Sequence, residues 1–282
     1  MSPFEHGEVV EAAIARSRRV GRSPWLGRAG RVGLVAKGVS YALVGVLAIA
    51  LASGAGGRAS GREGALQAIA GESYGRALIL GLALGFAAYA LWRLAQAILD
   101  RDGEGTDGAG LAKRAGYLAR AVFYGGLAVF SLTLLDGTGS ETSETGEARR
   151  TTAEALTWPG GRWLVGAVGL GFLGAAAFNG YRAFTQKFEE KWNTGAMSER
   201  LQRWLGRLGS IGLLARFVVF GLIGLFLVKA AYEYDPREAI GLDGALRKLV
   251  DGAYGGALLG TLAAGVLCYA AFCFAEARYR RV

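Results

Sequence analysis

The sequence predicts an all-α integral membrane protein whose six transmembrane helices form three tandem, parallel two-helix repeats around a pseudo-threefold axis. Hydrophobic residues make up 52% of the 282 residues, and the chain contains 46 Gly but only 4 Pro. Six apolar segments are long enough to cross a bilayer, which takes about 20 mostly apolar residues. One short sequence phrase also recurs three times, each time before an apolar run, and this indicates a triplicated unit.

The six apolar segments are rich in Gly, Ala and Leu and show little of the alternation that is typical of strands. No surrounding amphipathic helices are predicted that would cover such a core in a soluble protein, so a membrane is the expected environment. Each repeat has two spans, and the three repeats therefore run in the same direction. The predicted spans are 32–53, 77–99, 115–135, 162–184, 210–232 and 253–277.

The first span of each repeat carries a Gly followed by an Ala, a cation and an aromatic residue at fixed spacing. The three copies read Gly33-x2-Ala36-Lys37-x3-Tyr41, Gly116-x2-Ala119-Arg120-x3-Tyr124 and Gly212-x2-Ala215-Arg216-x3-Phe220. The second spans align on another glycine, at Gly85, Gly174 and Gly265. Small residues at equivalent positions predict close contacts between membrane helices.

The repeats divide the chain into four parts. These are a polar tail (1–24), the first repeat (25–99), a linker with the second repeat (100–184), and an amphipathic segment with the third repeat (185–282). In the amphipathic segment, Ser198 can cap a helix over 198–208 whose apolar face includes Trp204. This pattern predicts a helix that lies in the headgroup region before the fifth span.

The net charge of +9 is distributed unevenly along the chain. Seventeen Lys and Arg residues lie in the tails and in the loops between repeats, against nine in the connectors within the repeats. By the positive-inside rule, both termini are expected in the cytoplasm and the connectors on the opposite side of the membrane. The same basic excess predicts attraction to anionic lipid headgroups. No basic stripe with interleaved aromatic residues suggests a nucleic-acid partner.

The recurring cation is the strongest candidate for a binding site. Lys37, Arg120 and Arg216 each lie about five residues inside a span, roughly 7 Å along a helix axis. Tyr41 and Tyr124 follow four residues later and share a helical face with the cation. Two interpretations stay open: each cation snorkels to the cytoplasmic headgroups, or the three form a ring that receives an anionic headgroup or solute.

A second recurring set lies at the cytoplasmic ends of the even-numbered spans. Aromatic rings beside a cation at this depth are typical of the interfacial belt that anchors a helix in the bilayer. The predicted structural anchors are Tyr89, Trp92, Arg93, Tyr181, Arg182 and Trp204.

Residues that would support catalysis or ion coupling are scarce. The single His is His6, in the tail, which excludes His-based triads and His-metal clusters. No Asp, Glu or His lies in the central part of any span, where proton-coupled carriers need such groups. We therefore predict no enzymatic activity, no cofactor and no metal.

The triplicated motif resembles a bacterial membrane family known as domain of unknown function 1206, a two-helix domain usually present in three tandem copies. The resemblance runs from residue 25 to residue 282 and rests on the three Gly-x2-Ala-Lys/Arg-x3-Tyr/Phe phrases. It implies a six-span protein of the inner or plasma membrane and brings no specific activity with it.

Three functional hypotheses follow from these observations. The first is a non-catalytic structural or lipid-interacting role. The second is a small channel or carrier that moves an anionic solute or lipid along the pseudo-threefold axis. The third is an adaptor whose cytoplasmic segments bind a protein partner. The sequence identifies neither that partner nor an oligomeric state.

Overall fold

The computed structural model describes residues 24–54, 61–70, 72–100, 102–136, 143–250 and 254–280. Six long helices are apolar enough and long enough to cross a membrane, as predicted. One shorter helix lies between the two long helices of each repeat. The described residues form nine α-helices: α1 (Pro24–Ala52), α2 (Arg62–Ala70), α3 (Gly75–Leu99), α4 (Gly108–Leu135), α5 (Glu144–Leu156), α6 (Gly161–Thr185), α7 (Glu199–Glu233), α8 (Leu242–Val250) and α9 (Gly255–Tyr279).

Each repeat is thus a long helix, a short connector helix and a second long helix. The connectors α2, α5 and α8 each carry one Ala-Leu pair, and their leucines Leu66, Leu156 and Leu246 are buried. Short 3-10 turns at Lys187–Lys191, Thr194–Ala196 and Pro236–Glu238 complete the described chain. The predicted tail, 1–24, lies outside the described residues except for Pro24.

Local signals explain where several helices begin and end. Asp107, Ser143 and Ser198 each accept a hydrogen bond from a backbone N–H in the first turn of α4, α5 and α7. Such caps satisfy N–H groups that have no partner within the helix. Helices α3 and α7 end at Asp100 and Tyr234, which take up the left-handed conformation with φ of 45° and 57°.

The segment 198–208 differs from its prediction. Ser198 caps a helix as expected, but that helix continues without interruption to Glu233 and comprises 35 residues. The segment is therefore the first part of the fifth membrane helix and not a separate helix lying along the surface. Nothing breaks the helix here, because no Pro lies between Glu199 and Glu233.

The long helices pack in the order α4, α3, α1, α9, α7 and α6. Long helices that follow one another in the chain are therefore neighbours in space, and the first and last, α1 and α9, also contact each other. The exception is the pair α4 and α6. Within the described ranges, α1 packs against α3 and α7 packs against α9, whereas α4 and α6 of the second repeat show no comparable packing. Two of the three predicted hairpins are therefore closed and the second is open, so the contacts are not those of a complete threefold arrangement.

The closed hairpins depend on missing side chains at the repeated glycines. A methyl group added at Gly33 would lie 2.6 Å from Tyr89 Cα, and one added at Gly212 would lie 2.5 Å from Tyr269 Cα. Contacts this close leave no room for any side chain larger than hydrogen. Equivalent glycines of the repeated motif, Gly33 and Gly212, therefore bring the two long helices of the first and third repeats into backbone contact.

Candidate functional site

Lys37, the first of the repeated cations, is buried between three helices. Its side chain is 7% exposed, and Nζ donates a hydrogen bond of 2.7 Å to the hydroxyl of Tyr269 on α9. Nζ also lies 4.9 Å from the ring centroid of Tyr269 and 5.7 Å from that of Tyr89. A side chain held in this way points into the bundle, so the interpretation that it snorkels to the headgroups is wrong for Lys37.

Tyr41 joins two further cations. Its hydroxyl accepts hydrogen bonds from the guanidinium groups of Arg216 on α7 and of Arg62 on α2. The guanidinium carbon of Arg216 also lies 4.6 Å from the ring centroid of Tyr269. Lys37, Arg216 and Tyr41 are therefore in one cluster, as the ring interpretation predicts, and Tyr269 connects them.

Arg62 belongs to this cluster although the sequence did not single it out. It is the first residue of α2 and is 7% exposed, with its guanidinium carbon 4.4 Å from the ring centroid of Tyr41 and 4.9 Å from that of Phe123. The connector helix thus carries a cation into the bundle. No recurring position pointed to it, because the aligned residues of the other connectors are Thr152 and Leu242.

Arg120, the cation of the second repeat, has no hydrogen bond or ion pair with any residue that the structure describes. It lies close enough to Arg93 and Arg216 for their charges to repel, and close to Tyr89. Tyr124 is buried and packs edge-on against Tyr89 at a centroid distance of 4.5 Å. Arg120 and Tyr124 therefore lie beside the cluster but are not bonded into it.

The anchors predicted on the second span are in the protein interior. Tyr89, Trp92 and Arg93 are 0%, 1% and 6% exposed, so they do not form a lipid-facing belt. Arg93 donates to the Tyr89 hydroxyl at 2.8 and 2.9 Å and to Gln96 at 2.8 Å. The aromatic pattern cannot distinguish an interfacial ring from a buried one, and here the glycines of α1 make room for the rings.

The remaining predicted anchors lie nearer the surface. Tyr181 and Trp204 are 49% and 55% exposed, as interfacial residues are. Arg182 is partly buried, with its guanidinium carbon 5.9 Å from the ring centroid of Phe178. These three side chains are compatible with an anchoring role, which stays a prediction.

Five cations therefore lie in or beside the cluster: Lys37, Arg62, Arg93, Arg120 and Arg216. In the described part of the chain, none of them forms an ion pair. Glu276, a buried carboxylate on α9, instead faces Arg280 at 3.4 Å. The Nε atoms of Arg62 and Arg216 are buried and have no hydrogen-bond partner. Phenol oxygens and aromatic faces stabilise the cations only in part.

Carboxylates lie instead at the connector end of the bundle. Glu144 of α5 accepts hydrogen bonds from the backbone N–H groups of Arg62 at 2.6 Å and of Glu63 and Leu242 at 3.3 Å. One carboxylate thus holds the first turns of α2 and α8, where helix dipoles favour negative charge. Burial, together with the nearby Glu144, raises the pKa of Glu63 to about 7. This capping fixes the position from which the Arg62 side chain enters the bundle.

Comparisons with known proteins agree with the repeat structure. Residues 32–100, 115–186 and 211–280 each match the family described as Domain of Unknown Function (DUF1206). The chain is also 33% identical over 260 residues to a protein of Bacillus subtilis (strain 168), "Uncharacterized protein YxxB", and the match covers 92% of this chain and 93% of that protein. No solved structure matches the chain. The three matches cover most of the sequence, and the chain belongs to the DUF1206 family.

Proposed function

We propose that this protein is a non-catalytic, multi-pass protein of the bacterial plasma membrane that binds the anionic headgroup of a lipid at its buried and partly buried cations. The observation that carries the proposal is the set of five cations without an ion pair in the described chain, two of which have unpartnered, buried Nε atoms. Burying an unpaired cation costs several kcal/mol even after relaxation. A bound phosphate would remove much of that cost.

The position of the cluster favours a lipid as the source of the anion. Lys37 and Arg120 lie 13 and 12 residues from the first residues of α1 and α4, about 18–20 Å along the helix axes, so a lipid phosphate would reach them from the side, between helices, and not from the helix ends. The basic excess in the tails and in the loops between repeats supports an orientation with both termini in the cytoplasm. Basic pockets between membrane helices on the cytoplasmic side are a known means of holding anionic headgroups. The relative comes from a bacterium, in agreement with a bacterial membrane.

Arg120→Gln tests the proposal with little risk to folding, since Arg120 has no bonding partner among the described residues. Arg31→Gln is the matched control, because Arg31 is an exposed arginine in the first half of α1, just as Arg120 lies in the first half of α4. The purified variants are titrated with phosphatidylglycerol in mild detergent, and bound lipid is counted by native mass spectrometry. We expect Arg120→Gln to weaken binding by about tenfold, equivalent to 1.4 kcal/mol, and Arg31→Gln to leave it unchanged.

Two further ligands complete the titration. Phosphatidylcholine, whose headgroup carries no net charge, is expected to bind weakly to every variant. Inorganic phosphate distinguishes a lipid site from a solute site, since a carrier for small anions binds it as well as it binds the lipid. Equal retention of phosphatidylglycerol by Arg120→Gln and by the unmodified protein would contradict the proposal. Strong binding of inorganic phosphate would favour the carrier hypothesis instead.

A further inference from the structure

The second repeat carries the same packing residues as the other two but does not use them. In the first and third repeats, a methyl group at Gly85 would overlap Ala36 Cβ, and one at Gly265 would lie 2.7 Å from Ala215 Cβ. The equivalent pair in the second repeat is Gly174 and Ala119. A methyl group at Gly174 would have no described atom within 4 Å.

The aromatic residues that follow these glycines differ in the same way. Tyr89 and Tyr269 are 0% and 5% exposed, whereas Phe178, their equivalent on α6, is 48% exposed. The next aromatic position also differs, because Tyr181 is 49% exposed while its equivalents are buried. One face of α6 is thus built for a helix contact that the structure does not show.

Helix α6 packs closely against α7 instead. A methyl group at Gly169 would lie 2.9 Å from the backbone nitrogen of Val228, and one at Gly224 would lie 2.9 Å from that of Leu173. On the other side of the gap, α4 packs against α3. The result is an opening in the wall of the bundle between α4 and α6, with Ala119 exposed on its α4 side.

The opening lies next to the cation that has no partner. Arg120 directly follows Ala119 in α4, and a methyl group at Gly116 would have only the Arg120 guanidinium near it, at 3.9 Å. A charged group beside an apolar opening between two helices matches the two parts of an anionic lipid. Its phosphate would meet Arg120, and an acyl chain would lie along the exposed faces of α4 and α6.

We propose that the second repeat is a lateral gate for an anionic lipid: with α4 and α6 apart, the lipid enters between them, and without lipid the two helices close. The closed hairpin has the contacts of the first and third repeats, with Gly174 on Ala119 and Phe178 on Gly116. This inference rests on the proposed headgroup site and adds the route by which a lipid reaches it.

The physics of helix contacts in a membrane makes such a gate reversible. Lipid tails solvate apolar faces as well as another helix does, so closing the hairpin gains packing but no hydrophobic burial. A lipid that binds only the open form can therefore shift the equilibrium by its own binding free energy. In the other two repeats, Gly33 and Gly212 already hold the hairpin closed in direct backbone contact.

A disulfide trap tests the gate. Ala119→Cys and Gly174→Cys are combined with replacement of Cys268 and Cys273 by alanine, and the protein is oxidised in vesicles. The two new side chains approach each other only as the hairpin closes. In the closed third repeat the equivalent Cβ positions are 2.7 Å apart, less than the about 3.5–4.5 Å that a disulfide spans, so the pair cross-links about 1 Å before full contact. Leu118→Cys with Gly174→Cys is the matched control, because Leu118 is exposed but points about 100° away around α4.

We expect the Ala119/Gly174 pair to cross-link several-fold faster than the control pair in phosphatidylcholine vesicles, and phosphatidylglycerol to slow it. No cross-linking of either pair above background in either lipid would overturn the gate and leave the headgroup site untouched. Fast cross-linking at the same rate in both lipids would show a hairpin that closes without regard to lipid, which overturns the lipid route. Loss of headgroup binding is scored separately by Arg120→Gln.

Discussion

Replacing one glycine in each repeat by alanine compares a closed hairpin with an open one in the same molecule. The variants are Gly33→Ala, Gly116→Ala and Gly212→Ala, at equivalent positions of the motif. At Gly33 the new methyl group would lie 2.6 Å from Tyr89 Cα, and at Gly212 it would lie 2.5 Å from Tyr269 Cα. Carbon atoms pack best at about 3.5–4.0 Å, so each of these helix pairs must separate by about 1 Å.

The cost follows from that separation. A gap of about 1 Å forfeits up to half of the dispersion energy of the contacts it opens, and overpacking of this kind costs about 1–3 kcal/mol. We take the upper end, because the obstacle is backbone and cannot rotate away. Alanine returns up to about 1 kcal/mol of helix propensity. The net expectation is a loss of about 2 kcal/mol at Gly33 and Gly212, and a gain of up to about 1 kcal/mol at Gly116.

Thermal unfolding with a thiol-reactive fluorophore measures the difference, since Cys273 is fully buried in the folded protein. The midpoints of Gly33→Ala and Gly212→Ala should fall by several degrees, and that of Gly116→Ala should hold or rise. Gly212→Ala serves as an independent repetition of Gly33→Ala. Equal losses in all three variants would refute the reasoning, because they would mean that the second hairpin is packed as tightly as the others.

Substitutions at Tyr41, Glu63 and Glu144, with their controls, test the cluster and its support. Tyr41→Phe removes the oxygen that accepts from two buried guanidinium groups, so we expect a loss of about 2–4 kcal/mol in chemical unfolding. Tyr124→Phe is its control and should cost little, because no described residue bonds to that hydroxyl. Burial raises the pKa of Glu63 to about 7 from 4.5. The folded state therefore binds this proton more tightly than the unfolded state, and stability falls as the pH rises through that window. The melting temperature should be higher at about pH 5 than at about pH 8, and Glu63→Gln should flatten this dependence by about 1 kcal/mol after allowance for solvent screening. Glu144→Ala removes the cap of α2 and α8 and should cost about 2 kcal/mol, whereas Glu144→Gln, which keeps an acceptor oxygen, should cost less. A flat pH profile in the unmodified protein, or a Tyr124→Phe loss as large as that of Tyr41→Phe, would contradict these assignments.

Much of the architecture was predictable from the sequence because it depends on local composition and on repetition. The six long helices follow from apolar segments of sufficient length, and their number and positions agree with the prediction. The caps at Asp107 and Ser143 act within a few residues of chain, as does the predicted cap at Ser198. The grouping of Lys37, Arg216 and Tyr41 was also within reach, because equivalent positions of a repeat come together when the repeats surround a common centre.

Other features depend on contacts between distant parts of the chain. Arg62 enters the cluster only because Glu144, 82 residues away, holds the start of its helix. Tyr89, Trp92 and Arg93 have the pattern of interfacial anchors, and only the neighbouring helix decides that they are buried. The opening of the second hairpin was hidden for the same reason. Gly116, Ala119 and Gly174 are the residues expected of a closed pair, so the sequence by itself determined that the contact can form. The tertiary structure decided that α6 packs against α7 instead, because in a membrane two apolar helix faces differ only by the quality of their packing.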